Sequence, residues 1–139
     1  LTTMPSRAAI ASIRFEDWLD IQDLAGRIGE SDIVLGVFGK SGKALRVVPN
    51  KVYQALAIGR PVITGDTPAF DDRFHASTPT AIEFTPPGNP DALAKQIGDW
   101  AREPAALERR SLAAHALFKT TFAEEPLRQN FMRSLSALL

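Results

Sequence analysis

Apolar residues recur along the chain in two spacings, one typical of helices and one typical of buried strands. The segment "IQDLAGRI", residues 21–28, has its apolar positions three or four residues apart and predicts a helix of about two turns, with Asp20 as its N-cap. The next segment, "SDIVLGVFG", contains a nearly unbroken apolar run at residues 33–38. Such a run predicts a central parallel strand covered on both faces.

A second helix and two further strands follow. "NKVYQALAIG" predicts a short helix after Pro49, capped by Asn50 and ended by Gly59 in the left-handed conformation. "RPVITGD" predicts a buried strand from Pro61, and "AIEF", residues 81–84, predicts another that stops at two prolines and a glycine. Residues 13–15 are a candidate for a fourth, shorter strand.

The rest of the chain predicts helices, which begin near Pro90, Pro104 and Pro126. Aromatic residues in this half and near the start are expected to pack in the core: Trp18, Trp100, Phe118, Phe122 and Phe131. The terminal helix carries an apolar stripe of Leu127, Phe131, Leu135 and Leu138. This stripe either packs back on the domain or forms an exposed patch that drives self-association.

Strands that alternate with helices indicate an α/β fold, an open parallel sheet with helices on both faces. At 139 residues the chain has the size of one domain, and 45% hydrophobic residues can form a core. Four strands are fewer than a complete doubly wound domain has, and the first residue is not Met. We therefore expect the sheet to be truncated at its N-terminal side and the chain to be part of a longer protein.

Composition excludes several classes of function. Sixteen basic and sixteen acidic residues cancel, so no broad positive field attracts nucleic acid. The chain has no cysteine, which excludes thiol catalysis and cysteine metal sites and agrees with a cytoplasmic location. Its two histidines, His75 and His115, have no partner ligands at fixed spacing, so we expect structural or solvated side chains and no metal site.

The strongest candidate for a binding site begins just after the first predicted strand. In open parallel sheets ligands bind beyond the carboxyl ends of the strands, and "GKSGK" has glycines that let backbone N–H groups approach a phosphate. Positive charge is concentrated here, because Lys40, Lys43, Arg46 and Lys51 lie within twelve residues of one another. The candidate donor and phosphate-binding residues are Gly39, Lys40, Ser41, Gly42, Lys43, Asn50 and Lys51. The alternative interpretation is a surface loop whose lysines are simply solvated.

A second group of candidate residues follows the next strand. The Thr64 hydroxyl, the backbone amides of Gly65 and Thr67, or the Asp66 carboxylate could face the same cleft. Asp66 could equally close a turn by bonding its own backbone.

Several of these segments, taken in order, resemble one enzyme family. "SDIVLGVFGKSGKALRVVPNKVYQALAIGRPVITGD" followed by "FTPPGNPDALAKQI" is similar to the C-terminal donor-binding domain of group 1 glycosyltransferases, which are retaining enzymes of the GT-B fold. The resemblance implies that residues 1–139 are a partial, Rossmann-like nucleotide-sugar-binding domain. It also implies an N-terminal acceptor domain in the same full-length chain, through which any peripheral membrane association would occur.

The resemblance assigns roles to single residues and leaves gaps. The family's ribose-binding glutamate corresponds to Gln54, which can still hydrogen-bond a hydroxyl. The family's other glutamate, which touches the donor sugar, corresponds to Arg46, so the sugar is undefined. The nucleotide sugar is the substrate, no divalent metal or other cofactor is implied, and the catalytic residues stay unknown. The isolated domain is expected to bind a nucleoside diphosphate weakly and to transfer no sugar alone.

A non-catalytic module similar to a receiver domain is the alternative function. Such a module needs acids at the end of its first strand, and the early acids of this chain, "FEDWLD", do not follow a convincing strand.

Overall fold

Three parallel strands form the sheet of this α/β protein, and helices surround it. The computed structural model describes residues 13–76 and 80–137. Within these ranges the strands are β1 (Val34–Leu35), β2 (Val62–Gly65) and β3 (Ile82–Thr85). The helices are α1 (Ile21–Gly29), α2 (Asn50–Ile58), α3 (Pro90–Ala101), α4 (Pro104–Leu117) and α5 (Glu124–Ser136). A 3₁₀ turn, Asp72–His75, follows β2, and a π-helical turn, Phe118–Phe122, joins α4 to α5.

The strand order is β1-β2-β3, with β2 in the middle. Val34 pairs with Val62 in the first register, and Val62 pairs with Ile82 in the second. All four residues of β2 are buried. The sequence-based prediction of a mixed α/β fold with a parallel sheet is therefore confirmed at this level.

The first strand differs from its prediction. Residues 33–38 were expected to form a central strand covered on both faces, but β1 has two residues, lies at the edge of the described sheet, and leaves Leu35 40% exposed. An apolar run indicates that a segment can be buried, but it does not determine which strands flank it. Residues 13–15 form no strand, and Ile13 and Phe15 are exposed.

The core lies between the sheet and the helices α2 and α4. Val52, Ala55 and Leu56 of α2 are fully buried against Val62 and Ile82. The core also includes Phe74 of the 3₁₀ turn, Leu117 of α4, and Phe122. Edge-to-face and stacked ring contacts join Tyr53, Phe70, Phe74 and Phe122. These contacts anchor α2, whose first turn faces the candidate site.

The helix ends follow the sequence signals in part. Gly59 ends α2 with φ of 79°, as predicted, and its N–H and that of Arg60 donate to carbonyls of the last turn. Asp20 is the N-cap residue of α1, although its side chain makes no capping hydrogen bond. Asn50 does not cap α2, because Pro49 occupies the N-cap position and Asn50 is the first helical residue. Helix α5 begins at Glu124, so Pro126 lies in its first turn.

Two of the predicted core aromatics are on the surface. Trp100 and Phe122 are buried and Phe118 packs against the core, but Trp18 is 86% exposed and Phe131 is 63% exposed. Trp18 precedes α1, which buries none of its residues, and Phe131 belongs to α5, which also buries none. The prediction that an aromatic residue is buried is therefore wrong for Trp18 and Phe131, because the helices next to them or containing them bury no residues.

Candidate functional site

The segments that follow the three strands meet at the carboxyl-terminal edge of the sheet. The Gly65 N–H donates to the Val37 carbonyl oxygen at 3.0 Å, which joins the end of β2 to the end of β1. The Gly88 N–H donates to the Phe38 carbonyl oxygen at 2.8 Å, which joins the segment after β3 to the same place. Three connecting segments therefore form one surface, as expected for a binding site in a parallel sheet.

The loop that follows β1, residues 39–47, contains a helical turn. The Ser41 hydroxyl accepts a hydrogen bond from the Ala44 N–H at 3.3 Å, and the Ser41 carbonyl accepts one from the Leu45 N–H at 3.1 Å. The guanidinium of Arg46 folds back over Gly42, with a nitrogen 3.5 Å from where a Cβ on Gly42 would lie. Residues 39–43 are exposed, so their backbone is open to a ligand.

A cavity of about 350 Å³ lies beside this loop. It is lined by Val37, Ser41, Lys43, Ala44, Val47 and Pro49. Most of these side chains are apolar, and the hydroxyl of Ser41 and the ammonium of Lys43 are the polar groups among them. A mostly apolar cavity with a few polar groups is typical of small-molecule sites.

The loop and the start of α2 bear four cations: Lys40, Lys43, Arg46 and Lys51. None of the four forms an ion pair with a described residue. The Lys40 side chain extends across Gly88, the glycine of the segment after β3. Lys51 as a residue is exposed, yet its ammonium is partly desolvated, and this burial lowers its pKa below that of an ordinary lysine. Positive charge is thus held at this edge without an ion pair to a described acid.

The N-terminus of α2 adds to this charge. Pro49 is its N-cap residue, and within the described chain no side chain bonds the first-turn amides. A helix start of this kind presents free N–H groups and the positive end of the helix dipole. By contrast, the Asn89 side chain caps α3 by accepting from the Ala92 N–H at 3.0 Å. Of these two helix starts, the one at Asn50 is therefore better suited to an anion.

The four residues of the second candidate group have different environments. Thr64 is fully buried, and its hydroxyl bonds the backbone of Val37 rather than pointing into an open cleft. Gly65 is buried against the same carbonyl, and Asp66 is exposed. Thr67 is 7% exposed, and its buried hydroxyl has no hydrogen-bond partner in the described part of the chain. Asp66 and Thr67 are the two residues of this group whose side chains form no hydrogen bond with another described residue.

Gln54 does not line the cavity described above. It lines a crevice of about 240 Å³ between α1 and α2, together with Ile21, Leu24, Ala25, Ile28, Ala57 and Ile58. Gln54 is one helical turn beyond Asn50 and is half-buried. The structure therefore brings Ser41 and Lys43 of the glycine loop together with Pro49, the N-cap residue of α2, in the wall of one cavity, and it does not include Gln54 in that wall.

The two histidines make structural contacts. The His75 ring packs on Phe84, with ring centroids 4.4 Å apart. His115 Nδ1 lies 2.9 Å from the Ala57 carbonyl oxygen, near the end of α2. Within residues 13–76 and 80–137, no cluster of three His, Asp or Glu side chains could hold a metal ion.

Sequence reasoning did not identify the contribution of the segment after β3. Gly88 has φ of 69°, a left-handed conformation, and its lack of a side chain leaves room for Lys40. The signal for it is "PPGN" directly after a predicted strand, which was interpreted as the end of that strand and as part of the family resemblance. A strand end followed by proline and glycine also marks a segment that can approach a neighbouring loop closely.

No protein-family model, curated protein or solved structure matches this chain. Among the described residues, none of the helices combines the length and the apolar character needed to cross a membrane.

Proposed function

We propose that this chain is the donor-binding part of a retaining glycosyltransferase of the GT-B type, and that it holds the nucleoside diphosphate of an activated sugar. The observation that carries the proposal is that an exposed glycine loop, four cations without an ion pair to any described residue, and a helix start without a side-chain cap all follow or adjoin the carboxyl edge of a parallel sheet. Each of these features favours a phosphorylated ligand. The order of sequence motifs supplies the family.

The site supports a specific role for the protein in sugar transfer. In this reaction the bond between the anomeric carbon and the diphosphate oxygen breaks, and the diphosphate leaves with the electron pair. An acceptor hydroxyl oxygen bonds the anomeric carbon, and its proton passes to an oxygen of the departing diphosphate. The main barrier is charge separation. Backbone N–H groups of the loop from Gly39 to Gly42 and of the first turn of α2 would stabilise the phosphate charge as it develops, with Lys40 and Lys43 assisting.

The remaining parts of the proposal concern the longer protein. The acceptor would be held by an N-terminal domain of the same chain, and any membrane association would occur through that full-length protein. A cytoplasmic location fits a nucleotide-sugar substrate. The domain alone would bind the diphosphate and transfer no sugar, because the acceptor half of the cleft lies on the other domain.

The receiver-like alternative has less support. It needs acids at the end of a first strand, but Glu16 precedes α1 and pairs with Arg27. Its neighbours in residues 13–20 form no strand.

A titration with UDP, GDP, ADP and inorganic pyrophosphate, followed by NMR, tests the proposal. We expect selective binding of one nucleotide, with shifts at Gly39–Lys51 and Gly65–Thr67. Lys43→Ala should reduce the affinity about fivefold, as one partly exposed charge–phosphate contact would. Lys95→Ala is the matched control, because Lys95 pairs with Asp99 on α3. If no ligand binds to this chain or to the full-length protein, the proposal is wrong.

A further inference from the structure

The middle strand of the sheet carries a polar residue where an apolar one would be expected. Thr64 is the third residue of β2 and is fully buried. A buried hydroxyl costs free energy unless it is hydrogen-bonded, and valine has nearly the same shape without that cost. The contacts of the Thr64 hydroxyl therefore indicate what this side chain does.

Both contacts go to a single residue of the neighbouring chain segment. The Val37 N–H donates to Thr64 Oγ1 at 3.3 Å, and Thr64 Oγ1 donates to the Val37 carbonyl oxygen at 3.4 Å. The same carbonyl oxygen accepts from the Gly65 N–H at 3.0 Å. Regular pairing of the two strands ends just before this, where the Gly36 N–H donates to the Ile63 carbonyl oxygen at 2.8 Å. The threonine side chain thus extends the attachment of the chain beyond β1.

Val37 is the point from which the glycine loop departs. It lines the glycine-loop cavity, and Phe38, the next residue, accepts the hydrogen bond from Gly88. Because both backbone groups of Val37 are bonded to β2, its peptide planes have a defined orientation. The orientation of Val37 therefore sets the direction in which the loop starts at Gly39. The loop itself is exposed and has few hydrogen bonds of its own beyond the turn at Ser41.

We infer that Thr64 is a positioning residue for the proposed phosphate site. Its hydroxyl does not touch the ligand; it holds the Val37 backbone so that the amides of the glycine loop are already oriented before a diphosphate binds. A preoriented loop loses less conformational freedom on binding and therefore binds more tightly. This inference rests on the proposed function for its ligand, but the attachment of Val37 can be measured without one.

The experiment compares Thr64→Val, Thr64→Ser and Thr85→Val by amide hydrogen exchange and by titration with UDP, GDP and ADP. Thr85→Val is the matched control, because Thr85 is 4% exposed and its hydroxyl donates to the Thr64 carbonyl oxygen at 3.4 Å and not to the backbone of Val37. We expect Thr64→Val to speed exchange at Val37 and Gly39 and to weaken nucleotide binding, each by about tenfold. Thr64→Ser should restore both, and Thr85→Val should change neither.

Each outcome decides the inference. Equal changes in Thr64→Val and Thr85→Val would mean that any buried hydroxyl of the sheet has the same effect, and would overturn it. If neither this chain nor the full-length protein binds a nucleotide, the proposed function fails, while the exchange rates still decide the role of Thr64. If Thr64→Val does not fold, amide exchange is measured on the unaltered protein alone. A Val37 amide that exchanges as fast as that of Lys40 would then overturn the inference.

Discussion

Gly36, the residue that follows β1, lies in direct contact with Thr64 of β2, so that position 36 has no space for a side chain. A Cβ on Gly36 would lie 2.5 Å from Thr64 Cβ and 3.2 Å from Thr64 Cα, and it would overlap the Thr64 hydroxyl. The glycine is thus required by close approach, not by its backbone angles. This contact lets the Thr64 hydroxyl reach the backbone of the following residue, Val37.

Gly36→Ala should therefore destabilise the domain. The added methyl group must displace β1 from β2 or rotate Thr64 away from Val37, and overpacking of this kind costs about 1–3 kcal/mol. Urea unfolding monitored by circular dichroism measures the change. Gly26→Ala is the matched control, because Gly26 is in α1 and has no atom within 4 Å of its Cβ position. Alanine there should stabilise the helix by about 0.5–1 kcal/mol. Equal stability of both variants would contradict the close contact.

Gln54→Ala should weaken the binding of nucleotides without unfolding the domain. The resemblance assigns Gln54 to the ribose, whereas the structure describes it in the crevice between α1 and α2. Inorganic pyrophosphate separates the two possibilities, since it lacks a ribose. If Gln54 bonds the ribose, its loss weakens the binding of UDP, GDP or ADP and leaves pyrophosphate unchanged.

The same titrations also show whether the effect is indirect. An equal loss for pyrophosphate would indicate that Gln54→Ala acts through the packing of α1 on α2. Unchanged affinity for every ligand would remove Gln54 from the site.

The pH dependence of nucleotide binding should show whether the Lys51 ammonium contributes to the affinity. Burial lowers the pKa of its ammonium below the ordinary 10.5 in the unliganded domain, and a bound diphosphate stabilises the charged form. Affinity should therefore fall as the pH rises through this lowered pKa, starting below 10.5. Lys51→Arg remains protonated and should keep its affinity up to about pH 10. Calorimetric titrations across this range test the difference, and identical profiles would contradict a role for Lys51.

The lowered pKa of Lys51 also has a consequence for stability, with the opposite sign. The unfolded chain binds more protons than the folded one in the window between the lowered pKa and 10.5. The unliganded domain should therefore become more stable with rising pH in this window, as far as Lys51 contributes, while ligand binding becomes weaker. Lys51→Arg removes this contribution as well.

The parts of the fold that local residues determine were predictable from the sequence. Gly59 ends α2 because only a residue without Cβ adopts its left-handed conformation freely, and Pro90 starts α3 because its fixed φ suits the first helical turn. Both signals act within a few residues. The glycine loop and its lysines were likewise predictable, because they directly follow a predicted strand in the sequence.

Features that depend on distant contacts were not predictable. Leu35 belongs to an apolar run typical of a central strand, yet β1 lies at the edge of the described sheet, since a residue pattern does not state which strands flank it. Thr64 was a candidate for contact with the ligand because it precedes a strand end. Its bonds to Val37 depend on a residue 27 positions earlier in the chain, and no spacing rule links the two.

The apolar stripe of α5 should make the domain bind hydrophobic dye and self-associate. Of the two possibilities that the sequence left open, the structure favours the exposed patch: Leu127, Phe131 and Leu135 of the stripe are 45%, 63% and 41% exposed, and the adjacent Met132 is 52% exposed. Leu138, the last residue of the predicted stripe, lies outside the described residues. Phe131→Ser combined with Leu135→Ser should abolish dye binding and give a monomer in sedimentation. Because these side chains are not buried, the double change should alter the free energy of unfolding by about 0.5 kcal/mol or less.

Leu117→Ala provides the contrast, because Leu117 of α4 is 5% exposed and belongs to the core. Its truncation should cost about 2–5 kcal/mol and should leave self-association of the folded protein unchanged. A compact monomer that binds no dye in the unaltered protein would show that α5 packs against the domain in solution. In that case Phe131→Ser should be strongly destabilising, since it would then remove a buried aromatic contact.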